Sequence, residues 1–348
     1  MNRNWWWMSL PALVVLWAVQ AQPAQMVAQR AGAPAQPLPR EVTITALRPG
    51  TTFYAVAGGI AKVVSERTSM RASVLPVAGT ADVLTALQRG DAEFGICSSQ
   101  TCWQTFKGLE GFPRIADIRL VQIGIPLRVG WVARKDSGLK NFADVRGKQV
   151  ARHRVSSFAV YDRAFLANAG LTWNEVKPVD VTDITAGMSA FREGRADVAE
   201  HSLGSAHIAE ANAMIPGGVR WLSADPSPEA VDRARRATFP GFYAQLLKAG
   251  SFVGVADETH VLAVDVYVAT HKKVRDEVIR TVVEALLANH GDLAPLHPAL
   301  KEWVPERFVS PTATVPFHPA AVAAYKERGS WKAEMDPVQQ RLLKEAGE

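Results

Sequence analysis

The most chemically loaded stretch of the sequence is ARHRVSSF, residues 151–158. Arg152, His153 and Arg154 stand directly before Ser156 and Ser157, and the serines are good caps for a following helix. A guanidinium beside a helix amino end suits a carboxylate, which it can hold through two charge-assisted hydrogen bonds. Arg154 lies nearer the expected turn than Arg152 and is the better candidate, whereas His153 reads as a surface residue. The plainer alternative is that strand alternation sends one arginine to solvent and the serines only cap. If Arg154 holds the solute, Arg154→Ala should weaken binding at least tenfold, ~1.4 kcal/mol.

Hydroxyls gather at other expected turns. In RPGTTFY, Thr51, Thr52 and Tyr54 could hydrogen-bond a solute while Phe53 supplies an apolar wall, or they form a plain helix cap with core aromatics. Gly79 with Thr80 offers a second helix start, and Ser98 with Ser99 a third. Helix amino ends favour anions, because free amides meet the positive end of the dipole. His201 and Ser202, in EHSLGS, follow a short strand and would line the opposite wall. Tyr243 or Gln245, within GFYAQLLKAG, would reach over the same cleft from an apparent insertion.

These residues suit holding rather than transforming. Glu200 beside His201 could be an acid and base, but neighbours on a strand point to opposite faces. Ser98, His201 and an aspartate make a triad only on paper, with no nucleophile-elbow pattern around the serine. His260, His271 and His290 are scattered at no metal-binding spacing. No catalytic residue, metal or cofactor is therefore expected. Cys97 and Cys102, in CSSQTC, form either a small disulfide in an oxidising compartment or two buried thiols.

Alternating strands and helices must position all of this. β-rich runs at 42–47, 73–77, 92–97, 149–152, 176–181 and 197–200 alternate with helical periods at 52–67, 81–89, 157–168 and 184–192, and another helix is expected after Ser99. That alternation argues for an α/β fold with parallel strands, whose ligands collect at the strands' carboxyl ends. RVGWVAR at 128–134 and the apolar run 260–269 read as strands crossing between lobes, with a return helix at 274–288 and closing helices near 319–327 and 337–345. ALQRGDAEFGI from Ala86 and AFREGRADVAE from Ala190 echo each other as helix, glycine cap and strand. Two similarly built lobes follow, one from residues 41–130 with 264–348, the other from 131–263.

The amino end carries one basic residue, Arg3, an apolar run from Trp5 to Val19 and a small-residue site at Ala21. That is a secretory signal over residues 1–21, with an uncleaved anchor as the alternative, followed by an Ala-, Gln- and Pro-rich tether at 22–40. The formal net charge of +5 is diffuse, which excludes nucleic-acid binding as a function and mildly favours small anionic solutes.

Set in order, RPGTTFYAVAGGIAKVV, VAGTADVLTALQRGDAEFGICSSQ, ARKDSGLKNFADVRGKQV, AGLTWNEV and PFHPAAVAAYKERGSW resemble the TAXI solute-binding subunits of tripartite ATP-independent periplasmic (TRAP) transporters. The resemblance covers roughly residues 42–331. It implies a two-lobed periplasmic-binding-protein fold of the second type, joined by hinge strands. It also implies a monomeric periplasmic receptor that closes on a small carboxylate and hands it to membrane subunits. It places Thr51, Thr52, Tyr54, Gly79, Thr80, Ser98, Ser99, Ser156 and Ser157 at the solute. Arg152, His153 and Arg154 depart from the family's Gly/Ser-rich loop and hint at a more anionic solute. A receptor for an ATP-driven importer, a sensor, or an enzyme on the same scaffold are the alternatives.

Overall fold

The computed structural model describes residues 37–154 and 156–348, with nothing described of the side chains of Ser156 and Ser157. The signal expected at 1–21 and most of the tether expected at 22–40 lie outside the described residues. Leu38 already packs against the core.

The first half alternates strand and helix: β1 (Glu41–Leu47), α1 (Thr52–Arg67), β2 (Arg71–Val77), α2 (Thr80–Arg89), β3 (Phe94–Ser98) and α3 (Ser99–Lys107). Helix α1 buries Phe53, Val56, Ala57, Ile60, Val63 and Val64, the i, i+3, i+4 spacing of one apolar face. Helices α2 and α3 stop at Gly90 and Gly108, both in the left-handed region that favours glycine. A long strand β4 (Ile118–Arg134) follows, buried at every position but its last.

The second half repeats the pattern: β5 (Gln149–His153), α4 (Ser156–Asn168), β6 (Lys177–Val181), α5 (Ile184–Arg192), β7 (Val198–Ser202), α6 (Ala206–Met214), β8 (Val219–Trp221), α7 (Pro228–Ala237) and β9 (Tyr243–Leu247). The second long strand, β10 (Thr259–His271), leads to α8 (Asp276–Ala288), α9 (Pro319–Glu327) and α10 (Met335–Ala346).

Among the described residues the strands form one sheet in the order β2-β1-β3-β10-β4-β7-β5-β6, with β8 beside β4 and β9 beside β10. The order reads the same from either edge. Strands β1, β2 and β3 are mutually parallel, as are β5, β6 and β7, and each set joins the central β10–β4 pair through an antiparallel contact. This is the expected α/β class in two halves about a shared pair of long strands.

Several expectations need correction. The strand expected at 128–134 begins at Ile118, because its first ten residues are as buried as its last. The segment expected as an insertion, 241–250, contains β9, which pairs antiparallel with Thr259–Ala263 of β10. Cys97 and Cys102 are joined by a disulfide, one of the alternatives left open above.

Candidate functional site

The strand register sets the two halves face to face. Ser98, at the end of β3, lies opposite Val266, whereas Ser202, at the end of β7, lies opposite Val129, which itself pairs with Leu262. Since β3 and β7 approach from opposite ends of the long pair, their carboxyl ends meet over its middle, roughly 13 Å apart at about 3.4 Å per residue. Each strand end carries the loop that starts a helix, so both sets of helix starts converge there.

Contacts across that junction are direct. Thr52 and Ser202 share a hydrogen bond of 3.1 Å between their hydroxyl oxygens. Arg48 and Asp183 stand 3.9 Å apart. Gly50, at φ +92°, lets its loop lie against His207, where an added Cβ would come within 2.3 Å of Nε2. Between the halves remains a void of about 20 Å³, enough for about one water. Its apolar wall includes Leu47, Phe53, Leu127, Val129, Phe158 and Ile184, and its polar wall Thr51, Tyr161, Glu200, His201 and Ser202.

The residues singled out from sequence divide by place. Thr51, Phe53, His201 and Ser202 border the void, and Thr52 reaches it through Ser202. The Thr51 hydroxyl caps α1, accepting from the Tyr54 amide at 3.2 Å and donating to the Arg48 carbonyl at 2.8 Å. Tyr54 contributes that amide and does not border the void. Further along the first half, hydroxyls are spent on structure. The Gly79 amide donates to Asp82, Thr80 bonds Thr101, and Ser98 accepts from the Thr101 amide to cap α3. Ser99 accepts from the Asp265 amide at 3.2 Å and borders a separate cavity of about 560 Å³. Tyr243 borders that same cavity, its hydroxyl 3.4 Å from Asp265, which also pairs with Arg307.

The basic loop behaves differently from the reading above. Arg154 is 68% exposed and pairs with Asp180, and Arg152 pairs with the same carboxylate from the opposite register position on β5. Neither borders the void. His153 is a buried residue rather than a surface one: Asp162 accepts from its amide at 3.0 Å and bonds its Nδ1 at 2.9 Å. Burial alone would push the His153 pKa down, but the carboxylates around it, Asp162 first and then Glu200 and Asp183, together outweigh it and raise the pKa. Ser156 and Ser157 stand in the first turn of α4.

His201 is fixed by its neighbours. Its Nδ1 accepts from the Ser202 amide at 2.9 Å and meets the Ser205 hydroxyl at 3.1 Å, which leaves Nε2 to donate to Nδ1 of His207 at 3.1 Å. Burial depresses its pKa to about 3, so the ring is neutral.

Sequence reasoning passed over Tyr161 and set Glu200 aside. Both are buried, and among the described residues the Tyr161 hydroxyl and Glu200 Oε2 have no hydrogen-bond partner. The available signal was an acid inside the apolar strand VAE, and an aromatic one turn along α4 from the serines.

The sequence pattern of the NMT1-like family matches residues 44–329. Among solved structures, one described as a periplasmic transporter aligns with a TM-score of 0.54 at 12% identity, over 86% of this chain and 97% of that chain. It shares the two-lobed α/β fold. The alkanesulfonate-binding protein SsuA from Xanthomonas axonopodis pv. citri, bound to MOPS, aligns at a TM-score of 0.47 and 14% identity, over 88% of this chain and 96% of that one. The periplasmic VFT2 domain of Bordetella pertussis BvgS aligns at 0.44 and 15% identity, over 76% and 93%.

Proposed function

The chain belongs to the NMT1-like family, and from that footing we propose that it is a periplasmic solute-binding protein of the TAXI type. In this reading it captures a small carboxylate, such as a dicarboxylate, keto acid or acidic amino acid, between two hinged lobes without transforming it. It then passes the solute to the membrane subunits of a TRAP transporter. The lobes are residues 41–130 with 264–348, and 131–263. Among the described residues no helix is long and apolar enough to cross a membrane.

The observation that carries this reading is the meeting of both halves at one buried void with an apolar and a polar wall, beside the Thr52–Ser202 bond. A void with room for about one water is smaller than any carboxylate solute. Capture therefore requires the halves to part and close again about the β4–β10 pair, as hinged receptors do. A carboxylate arriving there would meet hydroxyls and the amino end of α1 rather than an arginine. Neutral donors and excluded water can supply the ~8 kcal/mol that micromolar affinity needs.

Native mass spectrometry of the purified protein, followed by a thermal-shift panel of succinate, 2-oxoglutarate and glutamate, tests the proposal. One solute should be retained at one per chain and raise the melting temperature. Turnover of the solute, or no stabilisation by any of the three, would count against it.

A further inference from the structure

The near-symmetry of the halves exposes an anomaly at Glu200. Gly90 and Gly194 both turn left-handed at the ends of α2 and α5, with φ of 79° and 76°. Three residues on, Glu93 accepts from the Thr43 amide at 2.7 Å and Asp197 from the Gln149 amide at 2.8 Å, the same clasp on the neighbouring strand. Counting on from that register, Glu200 stands where the first half has Ile96, a core residue. An acid at a core position breaks the local rule, and such breaks mark function.

Glu200 is 2% exposed. Burial pushes its pKa up to about 8, against the smaller opposing pull of His153. Among the described residues no lysine or arginine borders the void. The titratable groups that act on it from the packed elements are Asp162 and Tyr161 on α4 and His153 on β5, while its strand neighbour His201 also borders the void. His153 and Asp162 pair with one another, and His201 is neutral. Tyr161 is wholly buried, near Ser98 yet without a completed hydrogen bond. Among the described residues Glu200 Oε2 and the Tyr161 hydroxyl are thus buried without a partner, and both residues border the void.

We propose that Glu200, as a neutral carboxyl, donates a hydrogen bond to the carboxylate of the solute, with the Tyr161 hydroxyl as second donor, so that capture is coupled to a proton. This rests on the carboxylate-binding function proposed above. The neutral acid does the work that a cation would do elsewhere, and a second negative charge at Glu200 would repel the solute. The void selects carboxylate solutes by proton donation and holds them less well in alkaline solution.

Calorimetry on the mature protein, with whichever of succinate, 2-oxoglutarate and glutamate binds tightest, reads this directly. Affinity of the wild type should fall about tenfold between pH 7 and pH 9, as Glu200 loses its proton. Glu200→Ala should lose at least tenfold at pH 7. Glu200→Gln, whose amide still donates, should recover most of that loss and show no alkaline decline, and Tyr161→Phe should weaken binding severalfold. Circular dichroism would confirm that each variant folds. If Glu200→Gln binds as poorly as Glu200→Ala, or if wild-type affinity is flat or rises toward pH 9, Glu200 acts as an ionised acceptor or not at all, and the inference fails while the receptor stands. If none of the three carboxylates binds at any pH, the carboxylate reading falls and this inference falls with it.

Discussion

His153 and His201 stand two strands apart in sequence order and respond oppositely to pH. His201 has its folded pKa pushed down to about 3 by burial, while unfolded histidine titrates near 6.5. The unfolded chain therefore binds the proton first, and stability from His201 is lost as pH falls below about 6.5 toward 3. His153 has its pKa raised by Asp162, so its contribution is complete below about 6.5 and is lost as pH rises through the folded value. Thermal melts should show His201→Gln losing less stability than wild type between pH 7 and pH 4. Asp162→Asn, which leaves a buried imidazole without its carboxylate, should cost about 3 kcal/mol at pH 6. A smaller wild-type loss on acidification than in His201→Gln would refute the His201 account. At Arg154, pairing with Asp180 on an exposed edge leaves Arg154→Ala within about twofold of wild-type affinity, as expected of surface ion pairs. The sequence showed a basic loop but not its partner, because Asp180 meets it only through the pairing of β5 with β6. His153 was likewise legible as an imidazole and illegible as buried, since its burial depends on α4 folding back over the strand end.

Among the elements, the loop between β1 and α1 governs closure. Gly50 combines a positive φ with the close approach to His207, so Gly50→Val carries a Cβ that a closed junction cannot accept. That variant should bind at least tenfold more weakly while its fold persists, with small-angle scattering showing a larger radius than ligand-saturated wild type. Ser202→Ala removes the cross-junction bond and should cost about 1 kcal/mol of affinity, roughly fivefold. Helices α1, α2 and α5 were readable from their apolar spacing and glycine stops, and the echo of 86–96 with 190–200 marked equivalent elements. Helix α6 was not, because it buries only Ile208 and Ala211 and so leaves little periodic signal. Strand β9 was hidden for another reason: its residues are mostly half-exposed, and only its pairing with β10 makes it a strand.

At the scale of the molecule, the palindromic strand order makes the β4–β10 pair the one element common to both halves. Alternating strands and helices revealed the α/β class and the paired halves in the sequence. The meeting point of those halves was not legible, because it depends on register: Ser202 opposite Val129, Val129 opposite Leu262, and Ser98 opposite Val266. With that register in place, the proposed capture of a small carboxylate falls where Thr52, Tyr161, Glu200 and Ser202 lie together. A crystal structure of the protein with the tightest of succinate, 2-oxoglutarate and glutamate tests it most directly. The solute should lie between the halves with its carboxylate against Tyr161 and Glu200, whereas a solute in the cavity beside Tyr243 and Arg307 would contradict it.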